Sequence, residues 1–222
     1  MATELRALIV DWGGVLTTGL DEVLNGWCDE DDLDFQQYVQ VMSSWLGPEA
    51  GMDARYNPVH ALERGEIEVP DFERELAARL VTRSGGPVRA DGLVSRMFRR
   101  FQYVPTMTNV VRQARAAGLR TALLSNSWST TDYVRDSWDE LFDAVVISGE
   151  VRMRKPEPQI YRHTADLVGC RPEQCVFVDD LPNNVRGAVE VGMVGVHHTS
   201  FETTRDELRA LFGMEGLGGL DG

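Results

Sequence analysis

Leu5-Arg-Ala-Leu-Ile-Val-Asp-Trp-Gly-Gly-Val-Leu-Thr-Thr18 is the stretch on which the reading of this 222-residue chain turns. Ala7 to Val10 is a short apolar run with β-branched members, the pattern of a fully buried strand. It ends in a carboxylate, Asp11, and then in Gly13 and Gly14. Paired glycines let a backbone turn sharply and come close to a ligand. An aspartate at the carboxyl end of a buried strand suits a nucleophile or a metal ligand. Taken alone, it equally suits a loop cap.

The pattern recurs twice. Leu119–Leu124 is a second apolar run and ends in Ser125-Asn126; Cys175–Val178 is a third and ends in Asp179-Asp180. In an open parallel sheet, ligands bind outside the carboxyl ends of the strands, where the strand order reverses. One site built from three strand tips accounts for all three stretches. The fold class predicted is α/β, a Rossmann-like parallel sheet with helices on both faces.

Between the first strand and Pro105 the style changes. Phe35, Tyr38, Val39, Met42, Trp45 and Leu46 recur at helical spacing after the acidic Asp29–Asp34, and Gly47-Pro48 stops that helix. Asn57-Pro58 is a helix start closed by Gly65, Pro70-Asp71 opens a third helix, and a fourth runs from Asp91 to Phe101. Four helices without strands predict a separate helical cap over residues 17–104, inserted into a core of residues 1–16 and 105–222. Beyond Pro105, helices over Thr108–Ala117, Thr130–Ser137, Pro156–Val168 and Pro182–Val191 alternate with strands at Ala144–Ile147 and Met193–Val196. Thr204-x-x-Glu207 reads as a capping box for a last helix.

Composition bounds the function. Lys+Arg 22 against Asp+Glu 35 gives a net charge of −13. So acidic a chain is a poor candidate for sequence-independent nucleic-acid binding, which needs a basic surface. No apolar run approaches the ~20 residues that span a bilayer. The amino terminus lacks a signal-peptide layout, and Cys28, Cys170 and Cys175 are odd in number without metal-ligand spacing. Free thiols in a reducing cytoplasm are expected.

Asp11-Trp-Gly-Gly-Val-Leu, Ser125-Asn126, Lys155-Pro156 and Val178-Asp179-Asp180 stand in the order and spacing of the four motifs of the haloacid dehalogenase superfamily. The chain most resembles its phosphatase branch, with a helical cap inserted after the first strand. That resemblance implies Asp11 as a nucleophile that forms an acyl phosphate. It implies Mg²⁺ as cofactor, held by Asp11, the Gly13 carbonyl and Asp180, with Asp179 as an auxiliary ligand or support. Ser125 and the Asn126 backbone N–H would bind phosphate oxygens. Lys155 would neutralise the phosphate and keep Asp11 ionised, and Asn184 would orient the metal ligands. Gly14, Trp12, Thr17 and Thr18 would line the mouth, Trp12 serving packing equally well. Lys155 is the chain's one lysine beside 21 arginines, which favours a position that needs a compact cation.

Plainer readings of these residues stand beside the functional ones. Asp179-Asp180 before Pro182 also fits a helix cap, and Lys155 also fits a solvated lysine in a basic stretch. His197-His198 are adjacent on a strand, so they point to opposite faces and read as surface histidines rather than ligands. One position departs from the phosphatase pattern: a second aspartate two residues after the nucleophile is Gly13 here. That aspartate normally protonates the leaving oxygen, and glycine would also suit a positive φ that aspartate tolerates poorly. The expected function is a Mg²⁺-dependent phosphatase of a small phosphate ester. The alternatives are a dehalogenase, whose halide leaves without a proton, and a non-catalytic protein that binds a phospho-ligand or a partner.

Overall fold

The computed structural model describes residues 4–46, 57–135 and 137–218. Five strands, β1 Ala7–Val10, β2 Arg120–Ser125, β3 Ala144–Ile147, β4 Cys175–Asp179 and β5 Val194–His197, form one parallel sheet in the order β3-β2-β1-β4-β5. Helices α6 Pro105–Ala116 and α11 Phe201–Phe212 send Met107, Val110 and Leu208 into the cluster that holds Leu8, Val10, Leu123 and Val178. On the other face α9 Pro158–Leu167 and α10 Pro182–Glu190 bury Ile160, Tyr161 and Ala188 against Ala7, Ile9, Leu124 and Phe177. Coverage on both faces explains why these strands are continuous apolar runs rather than alternating ones. The chain builds outward from β1 to β3 and then crosses to the other side of β1 for β4. The order therefore reverses between β1 and β4, and a crevice opens at their carboxyl ends.

Among the described residues, five helices lie between β1 and α6: α1 Leu20–Glu30, α2 Phe35–Leu46, α3 Pro58–Glu63, α4 Val69–Ala77 and α5 Leu93–Phe98. The sequence pattern had predicted four, without α1. Its apolar face, Val23, Leu24, Trp27 and Cys28, is fully formed, but Gly19 caps it without a side-chain bond and Gly26 interrupts it. The weak start and inner glycine hid it. The α3 start is as predicted, the Asn57 side chain accepting from the His60 N–H at 3.1 Å. Gly47-Pro48 lies outside the described residues. The chain enters and leaves this insert side by side: Val104 N–H donates to the Leu16 carbonyl at 2.7 Å and Thr18 N–H to the Gln102 carbonyl at 2.8 Å. Apolar residues of the insert and of one sheet face form one continuous cluster.

Two further expectations are corrected. Residues 130–135 are not helical; the short helix α7 Trp138–Leu141 comes after them, and α8 Ser148–Val151 follows β3. Here side chains take the place of a helical ladder: Ser129 N–H donates to Ser127 Oγ at 3.0 Å and Thr131 N–H to Ser129 Oγ at 3.3 Å. Helix α11 starts at Phe201 and is capped by Ser200, which accepts from Thr203 N–H at 3.2 Å, so Thr204 is no cap. Thr204 is buried and pairs with His198 Nδ1 at 2.8 Å.

Candidate active site

Asp11 continues the ladder of β1, its N–H donating to the Val178 carbonyl at 2.9 Å. Its Oδ1 accepts from Trp12 N–H at 2.7 Å. Beyond it the chain coils back, with Leu16 and Thr17 N–H donating to the Trp12 carbonyl at 3.0 and 3.2 Å. Thr17 holds this turn from behind. Its hydroxyl donates to the Trp12 carbonyl at 3.1 Å and accepts from Gly14 N–H at 3.3 Å. Thr17 is buried and is not part of the cavity wall, so the mouth position expected for it is corrected to a turn support.

The two glycines differ. Gly14 has a φ of 71°, and a β-carbon there would fall 2.8 Å from Asp180 Cγ. Both the left-handed backbone and the close approach of Asp180 require glycine at this point, although Gly14 does not line the cavity. Gly13 has no left-handed φ, and a β-carbon on it would meet Phe101 Cε1 at 3.7 Å, an ordinary contact. The positive φ considered for Gly13 therefore belongs to Gly14.

Lys155 is buried, not solvated. Its ammonium lies 2.9 Å from Asp11 Oδ1 and 2.6 Å from Asp179 Oδ2, and it donates to the Leu124 carbonyl at 3.0 Å. An ammonium has three N–H donors, and three acceptors take them. Burial works against the charge on Lys155, but Asp11 and Asp179 outweigh it and hold its pKa above the ordinary lysine value. Asn126 seats the lysine from its backbone: its Nδ2 donates to the Lys155 carbonyl at 3.0 Å, and its Oδ1 accepts from Lys155 N–H at 2.8 Å. Asp179 is fully buried; its oxygens accept from Lys155, from Asn184 Nδ2 at 3.0 and 3.1 Å, and from Leu181 N–H at 2.8 Å. The pair Asp179-Asp180 thus divides. Asp179 is spent on protein donors, whereas Asp180 faces the cavity.

One carboxylate oxygen each of Asp11, Asp179 and Asp180 lies within 4.8 Å of the others. Burial pushes the Asp11 carboxyl above its ordinary value, with Asp179 and Asp180 adding to the rise and Lys155 opposing it. Burial, followed by the charge of Asp179, lifts Asp180 to about 6. Three carboxylates against one ammonium leave excess negative charge in a buried place, and the donors are hard oxygens. That set fits a hard divalent cation. His197 and His198 are outside it, His197 Nε2 lying 3.0 Å from the Asp180 carbonyl oxygen.

A cavity of about 750 Å³ opens over these groups, walled by Asp11, Trp12, Gly13, Ser125, Asn126, Lys155, Asp180 and Asn184 among others. The Ser125 hydroxyl lies 3.0 Å from the Tyr133 hydroxyl. Tyr133 also packs edge-on to Trp12 with ring centroids 4.7 Å apart, and burial drives its phenol up to about 12. The sequence reading missed Tyr133 because it placed the residue on a helix. It also missed Arg154, whose Nε lies 2.5 Å from Glu63 Oε2 and so ties the insert to the core beside Lys155. Nothing in the pattern of either residue signals that pairing.

The chain is 28% identical to the sesquiterpene phosphatase astK of Aspergillus oryzae over 227 residues, covering 96% of this chain and 100% of the relative. It is also 28% identical over 212 residues to mouse acyl-CoA dehydrogenase family member 10, where it spans only 19% of the relative's length. Its fold is similar to that of the enzyme BT-2542 of Bacteroides thetaiotaomicron, solved in complex with magnesium and inorganic phosphate, with a TM-score of 0.62 at 18% identity over 87% of this chain and 93% of the other. Residues 5–192 match the family model of haloacid dehalogenase-like hydrolases. With its strand-tip carboxylates, buried lysine and matching family model, the chain belongs to the haloacid dehalogenase-like hydrolases.

Proposed function

We propose that this hydrolase is a Mg²⁺-dependent phosphatase of small phosphate esters that works through an aspartyl phosphate on Asp11. The observation that carries the proposal is the placing of Asp11 among Lys155, Asp179 and Asp180 at the floor of a cavity that Ser125 and Asn126 also line. The phosphatase activity of astK and the magnesium and inorganic phosphate in the BT-2542 crystal support the same reading.

An Asp11 carboxylate oxygen attacks phosphorus in line, the bond from phosphorus to the alcohol oxygen breaks, and its electron pair leaves with that oxygen. Water then attacks the phosphorus of the acyl phosphate, restoring the Asp11 carboxylate and releasing inorganic phosphate. With glycine at position 13, the leaving oxygen takes its proton from solvent and the attacking water gives its proton back to solvent. Ser125 donates to the phosphate oxygens. Lys155, with all three donors on protein acceptors, acts chiefly by keeping Asp11 ionised and in place. Asp11, Asp180 and the Gly13 carbonyl would hold Mg²⁺, which when bound supplies positive charge to the phosphate oxygens. Asn184 and Lys155 fix Asp179 behind them. Residues 17–104 act as the cap, closing the cavity over the core of residues 1–16 and 105–222. The buried free thiols Cys28, Cys170 and Cys175 suit a reducing cytoplasm.

Phosphate release from a panel of phosphorylated metabolites, with Mg²⁺ and with chelator, tests the proposal. Activity is expected only with metal. Asp180→Asn should raise the Mg²⁺ concentration needed by about tenfold, ~1.4 kcal/mol. Activity that survives the chelator would overturn the metal assignment, and halide release from a haloacid in place of phosphate release would favour the dehalogenase reading.

A further inference from the structure

The wall opposite the strand tips is made by the insert, and it is nearly all hydrocarbon. Leu20, Leu46, Val59, Met97, Phe98 and Phe101 all face the cavity. The insert adds three polar side chains there, Tyr38, His60 and Glu63. Glu63 is bound to Arg154, and burial with Arg154 and Arg64 nearby lowers His60 to about 4, so it is neutral. Among the described residues, the insert thus offers no unpaired charge to a ligand. Polar side chains gather elsewhere, on the α10 rim at Asn183, Arg186 and Glu190.

The apolar wall also reaches the reacting centre. Trp12 adjoins Asp11, and its ring lies 4.7 Å from that of Phe101 and 5.9 Å from that of Phe98. Phe101 in turn stands against Gly13. At the outer end, Leu20, Leu46 and Leu181 are 40%, 49% and 47% exposed while lining the same cavity. Single exposed leucines are common; three lining one cavity beside an apolar wall form a patch of the kind that marks a binding groove. A hydroxyl-rich body such as a sugar would lose water contacts there and gain few partners. The cavity's volume of about 750 Å³ is far more than a phosphate needs.

We infer that the substrate is a phosphate ester of a large, predominantly apolar alcohol, its hydrocarbon body lying along Phe98, Phe101, Val59 and the Leu20–Leu46 mouth. This inference rests on the phosphatase reading of Asp11 and names the substrate class of the same site.

A series of para-alkylphenyl phosphates tests it, because the leaving group stays constant while the chain grows from methyl through butyl to octyl. Each methylene that leaves water is worth up to about fourfold, ~0.8 kcal/mol. Even with partial burial, kcat/KM is expected to rise at least tenfold from methyl to octyl. A para-dihydroxypropyl analogue should fall below butyl. The Leu20→Asn/Leu46→Asn double variant should flatten the slope, and both side chains are exposed enough for the protein to fold. Calorimetry with methyl- and octylphosphonate, with Mg²⁺ present, gives the same comparison without turnover. A slope that is flat or falls with chain length, or a preference for the hydroxylated analogue, overturns the inference. Failure to release phosphate from any ester overturns the phosphatase reading instead, and the phosphonate pair then decides the apolar wall by itself.

Discussion

The strand-tip pole and the inner part of the insert wall are both buried, but they are built by opposite means. At the pole, named atoms meet named partners: three donors of Lys155 on three acceptors, four bonds to Asp179, two between Asn126 and the Lys155 backbone. The wall has few such pairs. Its order comes from ring packing, as where Phe98 meets Phe101 and Tyr133 at centroid distances of 5.7 and 5.6 Å. Hydrogen bonds are directional, and a buried group that loses its partner bears the full cost of desolvation. Apolar packing instead accepts any side chain of similar volume. The pole should therefore fail at single atoms, while the wall should respond only to volume and polarity.

The largest effect is expected at Asp11. Asp11→Asn keeps the shape and removes the carboxylate proposed as nucleophile, so turnover should fall on the order of 10³-fold or more while the circular dichroism spectrum stays native. Turnover near the wild-type rate would remove Asp11 from the chemistry. Next comes Gly13→Asp. The site allows it, with an ordinary φ and a β-carbon contact of 3.7 Å to Phe101. A positioned acid supplies ~10²- to 10⁴-fold where the leaving group is poor. The rate on an alkyl phosphate should therefore rise more than that on p-nitrophenyl phosphate. Equal changes on both esters would mean that the proton already comes from another group.

Lys155→Arg keeps the charge and spreads it over a fork that three close acceptors do not fit. A loss of at least about tenfold in kcat/KM, ~1.4 kcal/mol, is expected. An unchanged rate would show that the pole tolerates a different cation and is no more particular than the wall. The smallest effect belongs to the wall: Met97→Leu, a near volume-conserving change at a residue only 4% exposed, should cost less than ~1.5 kcal/mol in thermal or denaturant unfolding. A larger loss would mean that the wall is as particular as the pole.

The same contrast explains what could be read from the sequence. A strand covered on both faces must be apolar throughout, and its chemistry must sit just past its end. Asp11, Ser125 and Asp179-Asp180 therefore announced both the sheet and the pole. The wall gives no such signal, because Val59 or Phe98 looks the same in a cavity lining as in a core. Thr17 illustrates a different limit. A hydroxyl near a site can face a ligand or the backbone, and only the coil of residues 12–17 decides that it faces the backbone. Tyr133 and α1 were hidden by local patterns that tertiary contacts overrode: serine side chains in place of a helix at residues 130–135, and a helix that forms despite Gly26.

The place of β1 in the sheet has a consequence for biosynthesis. Ala7 registers with Arg120 on one side and with Cys175 on the other. The central strand is thus made well before either neighbour exists, and contacts of such long sequence separation form slowly. On the ribosome, Ala7–Val10 stays an unpaired apolar segment until β2 has been translated more than a hundred residues later, and a nascent chain halted before β4 carries Asp11, Ser125 and Lys155 but not the strand that aligns them. Hydrolytic competence is thereby deferred until translation has passed Asp180, and fragments released earlier should be inert rather than partly active.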